Sequence, residues 1–206
     1  MKASLALSIE TQVLESVRAD LAVATFFAGD RPLRGDAGRA DWRLLGLLSA
    51  LLREGRLHGE PGEVMLVPTL GRLRAPRLLL LGLGARADLG YPQIEAATRD
   101  AILRGVALRC GRLALSAPGG ADPALPPART GEAVLRGAVA ALHERPAHLE
   151  LVLVARDEAV ATLSGLARAA TRADLPVRLQ NPEAVEAGDA LAVRLRHGQS
   201  AVQDGP

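Results

Sequence analysis

Aromatic side chains are nearly missing: Phe, Tyr and Trp make up 2% of the 206 residues. A core must therefore be assembled from Leu, Val and Ala, and interleaved stacking of single-stranded bases is excluded as a main activity. Cysteine occurs once, as Cys110, which rules out a disulfide framework and a thiolate metal cluster. Its apolar setting, "VALRCGRLAL", reads as that of a small buried hydrophobe. Lys2 is the only lysine among 25 basic side chains. All the others are arginine, a bias that reads as a GC-rich genome rather than a nucleic-acid site. Long apolar runs are absent too. The longest, Leu78 to Ala85 ("LLLLGLGA"), is far short of a membrane span. The opening "MKASLALSIETQV" alternates and has no continuous apolar stretch of the signal-peptide kind. The expected compartment is the cytoplasm, with no membrane contact.

What is present is ordinary for a globular chain: 49% hydrophobic, 23% charged and a net charge of +2. The net charge alone is too small to imply a polyanionic partner. The length suits one domain with a full core, or one domain and an extension.

Period-2 and period-3.6 patterns alternate along the chain. Ala3, Leu5, Leu7 and Ile9 share one face of a strand whose other face is wet, as near a sheet edge. "DLAVATFF" (Asp20 to Phe27) is apolar throughout after its Asp and suits a central strand covered on both sides. Ala40, Leu44, Leu47, Leu48 and Leu51 then recur at helical spacing. Asp36 or Asp41 can serve the helix start, and Gly55 its left-handed end. Trp42 is expected as a packing residue at that helix start. It should be buried with Leu44, Leu48 and Leu51 against the Asp20 to Phe27 strand.

"EVMLVP" and "RLLLLGLG" read as two strands joined by "TLGRLRAP". Further on, a helix is expected over Tyr91 to Arg109, a strand at Arg112 to Ser116 and an exposed loop from Ala117 to Thr130. A helix to about His143, a strand at His148 to Ala155, a helix over Asp157 to Ala173 and a strand in "PVRLQ" complete the pattern. The alternation predicts an α/β sandwich around a parallel or mixed sheet. The domain is placed at residues 1–180. Residues 181–206 read as an extension, with an edge strand allowed at Asp189 to Arg196 and a frayed tail beyond.

No catalytic constellation emerges. His58, His143, His148 and His197 lack the i, i+3 or i+4 partners that aim two ligands at one ion. The serines show no nucleophile elbow, and the carboxylates are scattered. Gly82, Gly84 and Gly90 follow a strand, but "ARADLG" separates them from the helix, unlike a phosphate-binding turn. They read as a structural strand exit. Arg72, Arg74 and Arg77 cluster around one hairpin and leave phosphate-backbone contact open. The residues give no catalytic, cofactor-binding or metal site, and no cofactor.

Asp20, Gly38, Asp41, Gly46, the run Gly55, Gly59, Gly62 and Glu63, then Arg77 and Gly82 to Gly84, together form a recognisable series. Over Asp20 to Gly84, and more loosely to about Gln180, the chain resembles the N-terminal, non-catalytic domain of the leucyl aminopeptidase (peptidase M17) family. The resemblance implies a three-layer α/β/α macro-domain-like fold with a mixed, largely parallel sheet. It carries over no catalytic residue, because the family's "D-A-E-G-R" and "D-[ST]-G-G" motifs have no match here. The family's N-terminal domain lies on the outside of a hexamer and helps shape assembly. By that likeness the expected role is non-enzymatic. The chain would act through another protein or through self-association, as an assembly, regulatory or inhibitory subunit, a peptidase being one candidate partner. A macro-like module for ADP-ribose or a nucleotide, and a DNA-binding domain of the kind some family members use, are the alternatives. Neither a small-molecule ligand nor nucleic acid is the expected partner.

Overall fold

The computed structural model describes residues 2–119, 124–155 and 159–180. Seven strands form one sheet: β1 (Ser4–Glu10), β2 (Leu21–Phe26), β3 (Val64–Pro68), β4 (Arg77–Gly82), β5 (Arg112–Ser116), β6 (His148–Val154) and β7 (Val177–Gln180). Their order is β3-β4-β2-β5-β6-β1-β7. Every neighbouring pair is parallel except β3 and β4, which run antiparallel with Val64 opposite Leu81 and Pro68 opposite Arg77. The expected hairpin across "TLGRLRAP" is therefore present, and β2 is internal as its unbroken apolar run requires.

Alternation along the strands builds two cores. Leu5, Leu7, Ile9, Leu21, Val23, Leu79, Leu113 and Leu151 face three helices, α3 (Tyr91–Ala107), α4 (Pro127–Glu144) and α5 (Ala159–Ala170). Ala22, Ala24, Phe26, Leu78, Leu80, Ala114 and Val152 face the other way, toward α1 (Gly35–Arg43) and α2 (Leu47–Arg53). The result is three layers, α/β/α. β1 buries Leu5, Leu7 and Ile9 against the first core and leaves Ser4, Ala6 and Glu10 partly open, but Ser8, on the face expected to be wet, is buried as well. It lies second from the edge, with only β7 outside it. The possible strand at Asp189 to Arg196 and the tail after it lie outside the described residues, as does the expected helix start at Asp157.

The segment after β2 departs from expectation. One helix over Ala40 to Glu54 is replaced by two, divided at Leu44–Gly46. Leu45 and Gly46 both take positive φ, 59° and 80°. The amide of Gly46 donates to the Asp41 carbonyl (2.9 Å) and that of Leu45 to the Trp42 carbonyl (3.2 Å), the two bonds of a Schellman stop. An L-residue in this conformation costs about 1–2 kcal/mol. The buried Asp41 side chain then restarts the chain as a helix. Its carboxylate accepts the amides of Leu48 (2.8 Å) and Ser49 (3.1 Å) and the Ser49 hydroxyl.

The corner turns Trp42 outward. Trp42 is 75% exposed, so its expected burial is overturned, whereas Leu44, Leu48 and Leu51 are buried as expected. The helical spacing holds for Leu44, Leu48 and Leu51 but not for Leu47, which is 40% exposed, and it carries no signal for a turn that rotates α1 relative to α2.

Leu48 is fully buried. Leu48→Ala should cost about 2–5 kcal/mol, read as a shift in the denaturant midpoint. Trp42→Ala should leave that midpoint within about 0.5 kcal/mol of the parent.

Candidate functional site

The parallel strands end together, and the loops beyond β2, β4 and β5 make one end of the molecule. The segment after α2 closes over it. The left-handed Gly55 stops α2, its amide donating to the Leu52 carbonyl and that of Arg56 to the Leu51 carbonyl. The chain then presses onto the ends of β2 and β4. A Cβ on Gly59 would lie 2.6 Å from the Ala28 nitrogen, and one on Gly82 would lie 2.2 Å from the Glu60 carbonyl oxygen. These glycines are required by backbone crossing backbone.

Glu63 fixes this loop. Its carboxylate accepts the backbone amides of His58 (3.0 Å), Gly59 (2.6 Å) and Glu60 (3.2 Å), and the His58 ring lies 3.4 Å away. Burial pushes the Glu63 carboxyl up, but these donors together outweigh it and hold the pKa below its ordinary 4.5.

The glycine run after β4 is also committed to its own fold. The Gly82 amide donates to Glu63 (2.8 Å), that of Leu83 to Phe26 (2.9 Å) and that of Gly84 to Gly59 (2.8 Å). Arg86–Asp88 forms a single 3₁₀ turn before α3 begins. Those three amides have no donor left for an anion, which fits a strand exit. Arg86 lies over the Phe27 ring at 4.0 Å and pairs with Asp30 at 3.2 Å, so these two charges are partnered.

The described histidines are not brought together. His58 sits beside Glu63, His143 bonds Asp174 at 2.7 Å near the end of α4, and His148 bonds the Ser4 hydroxyl at 2.7 Å at the start of β6. The His143 contact holds the exposed Asp174 carboxyl below its usual range. His197 lies outside the described residues. Among the described residues, no three or more His, Cys, Asp or Glu side chains are grouped to hold a metal ion. Cys110 is buried as its sequence setting implied. Burial pushes its thiol up; Arg77, whose guanidinium is 3.3 Å from Sγ, opposes this, and Asp20 adds to it.

A groove of about 500 Å³ follows the outer side of α4, lined by Glu95, Leu135, Arg136, Val139, His143 and Arg172 among others. Its charges are largely cross-paired: Arg136 with Glu95 at 2.9 Å, and Arg168 with Glu132 at 2.9 Å.

The opposite end, where the parallel strands begin, is different in kind. Asp36 accepts a 2.6 Å bond from Ser116 at the far end of β5, so α1 starts at the strand exits and runs back toward the strand starts. The α1–α2 corner and the β3–β4 connection therefore lie at the same end. There, Trp42 (75%), Leu45 (75%) and Leu70 (82%) are the most exposed large apolar side chains among the described residues. Composition gives no clue to this common exposure, since the three residues belong to two separate segments of the chain.

Two outcomes follow from this geometry. Because the folded-state pKa of Glu63 is depressed, its contribution is present above the ordinary carboxylate value and is lost as pH falls through the folded one. Glu63→Gln should therefore lower the melting temperature at pH 7 and flatten its decline below pH 4.5; parallel pH profiles would contradict this. Cys110 should resist an aromatic disulfide reagent at neutral pH until the chain is denatured.

The sequence pattern of the cytosol aminopeptidase family, N-terminal domain, matches residues 22–147. A probable cytosol aminopeptidase of Alkaliphilus oremlandii is 26% identical over 125 residues, 61% of this chain and 25% of that protein. One from Thermosynechococcus vestitus is 32% identical over 124 residues, 60% of this chain and 24% of that protein. The chain thus spans about a quarter of the length of these relatives. Among solved structures, a point mutant of the Oceanobacillus iheyensis macrodomain superposes with a TM-score of 0.65 at 12% identity, covering 81% of this chain and 93% of that one. A tomato leucine aminopeptidase mutant gives 0.59 at 14% identity, covering 79% of this chain and 35% of that one. At these identities the structures speak to the fold, which is macro-domain-like. Since the family pattern spans more than half of the residues, the chain belongs to the cytosol aminopeptidase family through its N-terminal domain.

Proposed function

We propose that this domain is a non-enzymatic binding module that works through protein–protein contact, as an assembly, regulatory or inhibitory element. The partner would be a cytosolic peptidase of the same family or a second copy of the chain. One observation carries the reading: Trp42 and Leu45, each 75% exposed, lie at a corner that the buried Asp41 carboxylate anchors by hydrogen bonds. Exposed tryptophan is the side chain most enriched among residues that dominate interface energies. Membership through the family's N-terminal domain, the part outside its catalytic machinery, supports the same reading.

Analytical ultracentrifugation tests it, with the chain alone and mixed with the cytosol aminopeptidase of Pseudomonas aeruginosa, a relative 32% identical over 111 residues. Concentration-dependent self-association or co-sedimentation is expected, and Trp42→Ala should abolish it. A monomer that ignores the peptidase at every concentration would contradict the reading. Purified chain should also fail to hydrolyse leucine anilides with zinc, manganese or neither.

A second reading, a nucleotide-binding module, draws on the fold. One superposing Oceanobacillus iheyensis macrodomain structure, with a TM-score of 0.63, was determined with ADP. Calorimetry with ADP and ADP-ribose separates the two. Under the first reading the titrations stay flat at millimolar ligand, and saturable heat would favour the second.

A further inference from the structure

The end of the molecule where the parallel strands begin carries a cost in backbone strain that its sequence could have avoided. Leu45 (φ 59°), Leu70 (φ 50°) and Arg109 (φ 57°) are the three non-glycine residues with positive φ among the described residues, and all three lie there. Two of them occupy helix stops that glycine fills best. The Arg109 amide donates to Val106 and the Cys110 amide to Gly105, which repeats the bond pair at Leu45 and Gly46. The same stop at the end of α2, toward the strand exits, is filled by Gly55. Leu70 and Gly71 occupy the two central places of a turn closed by the Arg72 amide on the Thr69 carbonyl (2.9 Å). Both φ values are positive, a geometry that selects Asn-Gly rather than leucine. Strained residues persist only where the surrounding structure over-determines them, and they cluster at functional sites. Packing of their own side chains does not hold them here, because Leu45 and Leu70 are 75% and 82% exposed.

These residues lie at the same end of the sheet. The Arg74 amide donates to the Glu15 carbonyl (3.0 Å), which ties the β3–β4 connection to the chain leading into β2. Asp20, just before β2, accepts the amides of Gly111 (2.8 Å) and Arg112 (2.9 Å) beside Arg109. Leu44 and Leu48 of the α1–α2 corner share a core cluster with Val67 and Leu73 of the hairpin.

The charge at this end is one-sided. Arg18, Arg43, Arg72, Arg74 and Arg109 are exposed, and among the described residues none has a carboxylate partner. Arg43 instead lies over the Trp42 ring at 5.5 Å. The acids nearby are occupied: Asp20 by backbone amides and Glu150 by Arg112. Arginine forks pair with carboxylates in two-point fashion. Three exposed apolar anchors among unpaired arginines fit an amphipathic segment that is acidic on one side and apolar on the other. Nucleic acid fits less well, since leucines contribute nothing to phosphate contact and a single indole is a poor stacking platform.

We propose that this strand-start surface, centred on Trp42, Leu45, Leu70 and the unpaired Arg72 and Arg74, docks an acidic, amphipathic segment of a partner protein. The proposal rests on the protein-binding reading above and names the chemistry of its partner.

Trp42 is the only tryptophan, so its emission reports binding directly. The probe is a synthetic amphipathic peptide of glutamate and leucine, with a lysine-for-glutamate counterpart and a duplex DNA as competitors. The acidic peptide should shift Trp42 emission to the blue in a saturable way, and the lysine peptide should not. Leu45→Gly combined with Leu70→Gly should weaken binding at least about tenfold while the protein melts at the same or a higher temperature, because glycine relieves the strain. Arg72→Glu with Arg74→Glu should weaken it similarly. No saturable shift, a shift indifferent to the glycine variants, a lower melting temperature in those variants, or displacement of the peptide by duplex DNA would each overturn the proposal. Association with the peptidase that survives the glycine pair but is lost in Trp42→Ala would sink this proposal and leave the broader reading standing.

Discussion

The Asp41 carboxylate holds the arrangement on which the rest of this molecule depends. It is buried, yet it accepts the first free amides of α2 and the Ser49 hydroxyl, so its charge is matched by oriented donors. With that anchor the chain can reverse through a strained Leu45 and return toward the strand exits. Leu48, Leu51 and Leu52 then close the second core over β2 and β4. The same reversal leaves Trp42 and Leu45 in water. Core and exposed corner are two consequences of one hydrogen-bonded turn.

The two ends of the sheet are finished differently. At the strand exits the loops consume one another's backbone groups. Gly59 and Gly82 allow chain to lie on chain, Glu63 gathers three amides, and Arg86 is paired with Asp30. At the strand starts, Arg18, Arg43, Arg72, Arg74 and Arg109 have no carboxylate partner among the described residues, and Leu45 and Leu70 stand without cover. A net charge of +2 over the whole chain does not reveal which charges are left unpaired, because composition carries no information on which side chains the fold brings together.

Much of the fold was legible in the sequence. The unbroken apolar run of β2, the alternation of β1 apart from the buried Ser8, and the glycine spacing from Gly55 to Gly84 each reflect a local rule that the structure obeys. Periodicity predicts one helix around Trp42 where the structure has two, because it cannot register a left-handed residue. Leu45 obeys no turn preference, and Gly46 read as an interior helix glycine. The same limit hid the candidate surface. Trp42 looks like a core residue in one dimension, Leu45 falls off the apolar helix face and Leu70 sits in a strand connection, so their common exposure at one end of the sheet follows only from the fold. Arg72, Arg74 and Arg77 did show as a cluster, but their lack of acidic partners is a property of the packed chain.

Collisional quenching of the Trp42 emission tests the central claim most directly, because one experiment reads both exposure and field. An indole standing in water beside unpaired arginines should be quenched almost as readily by acrylamide as a free tryptophan amide. It should also be quenched more steeply by iodide than by caesium, with the difference fading as salt screens the charges. A blue emission that acrylamide barely touches, or equal quenching by the anion and the cation, would contradict an exposed and basic docking corner.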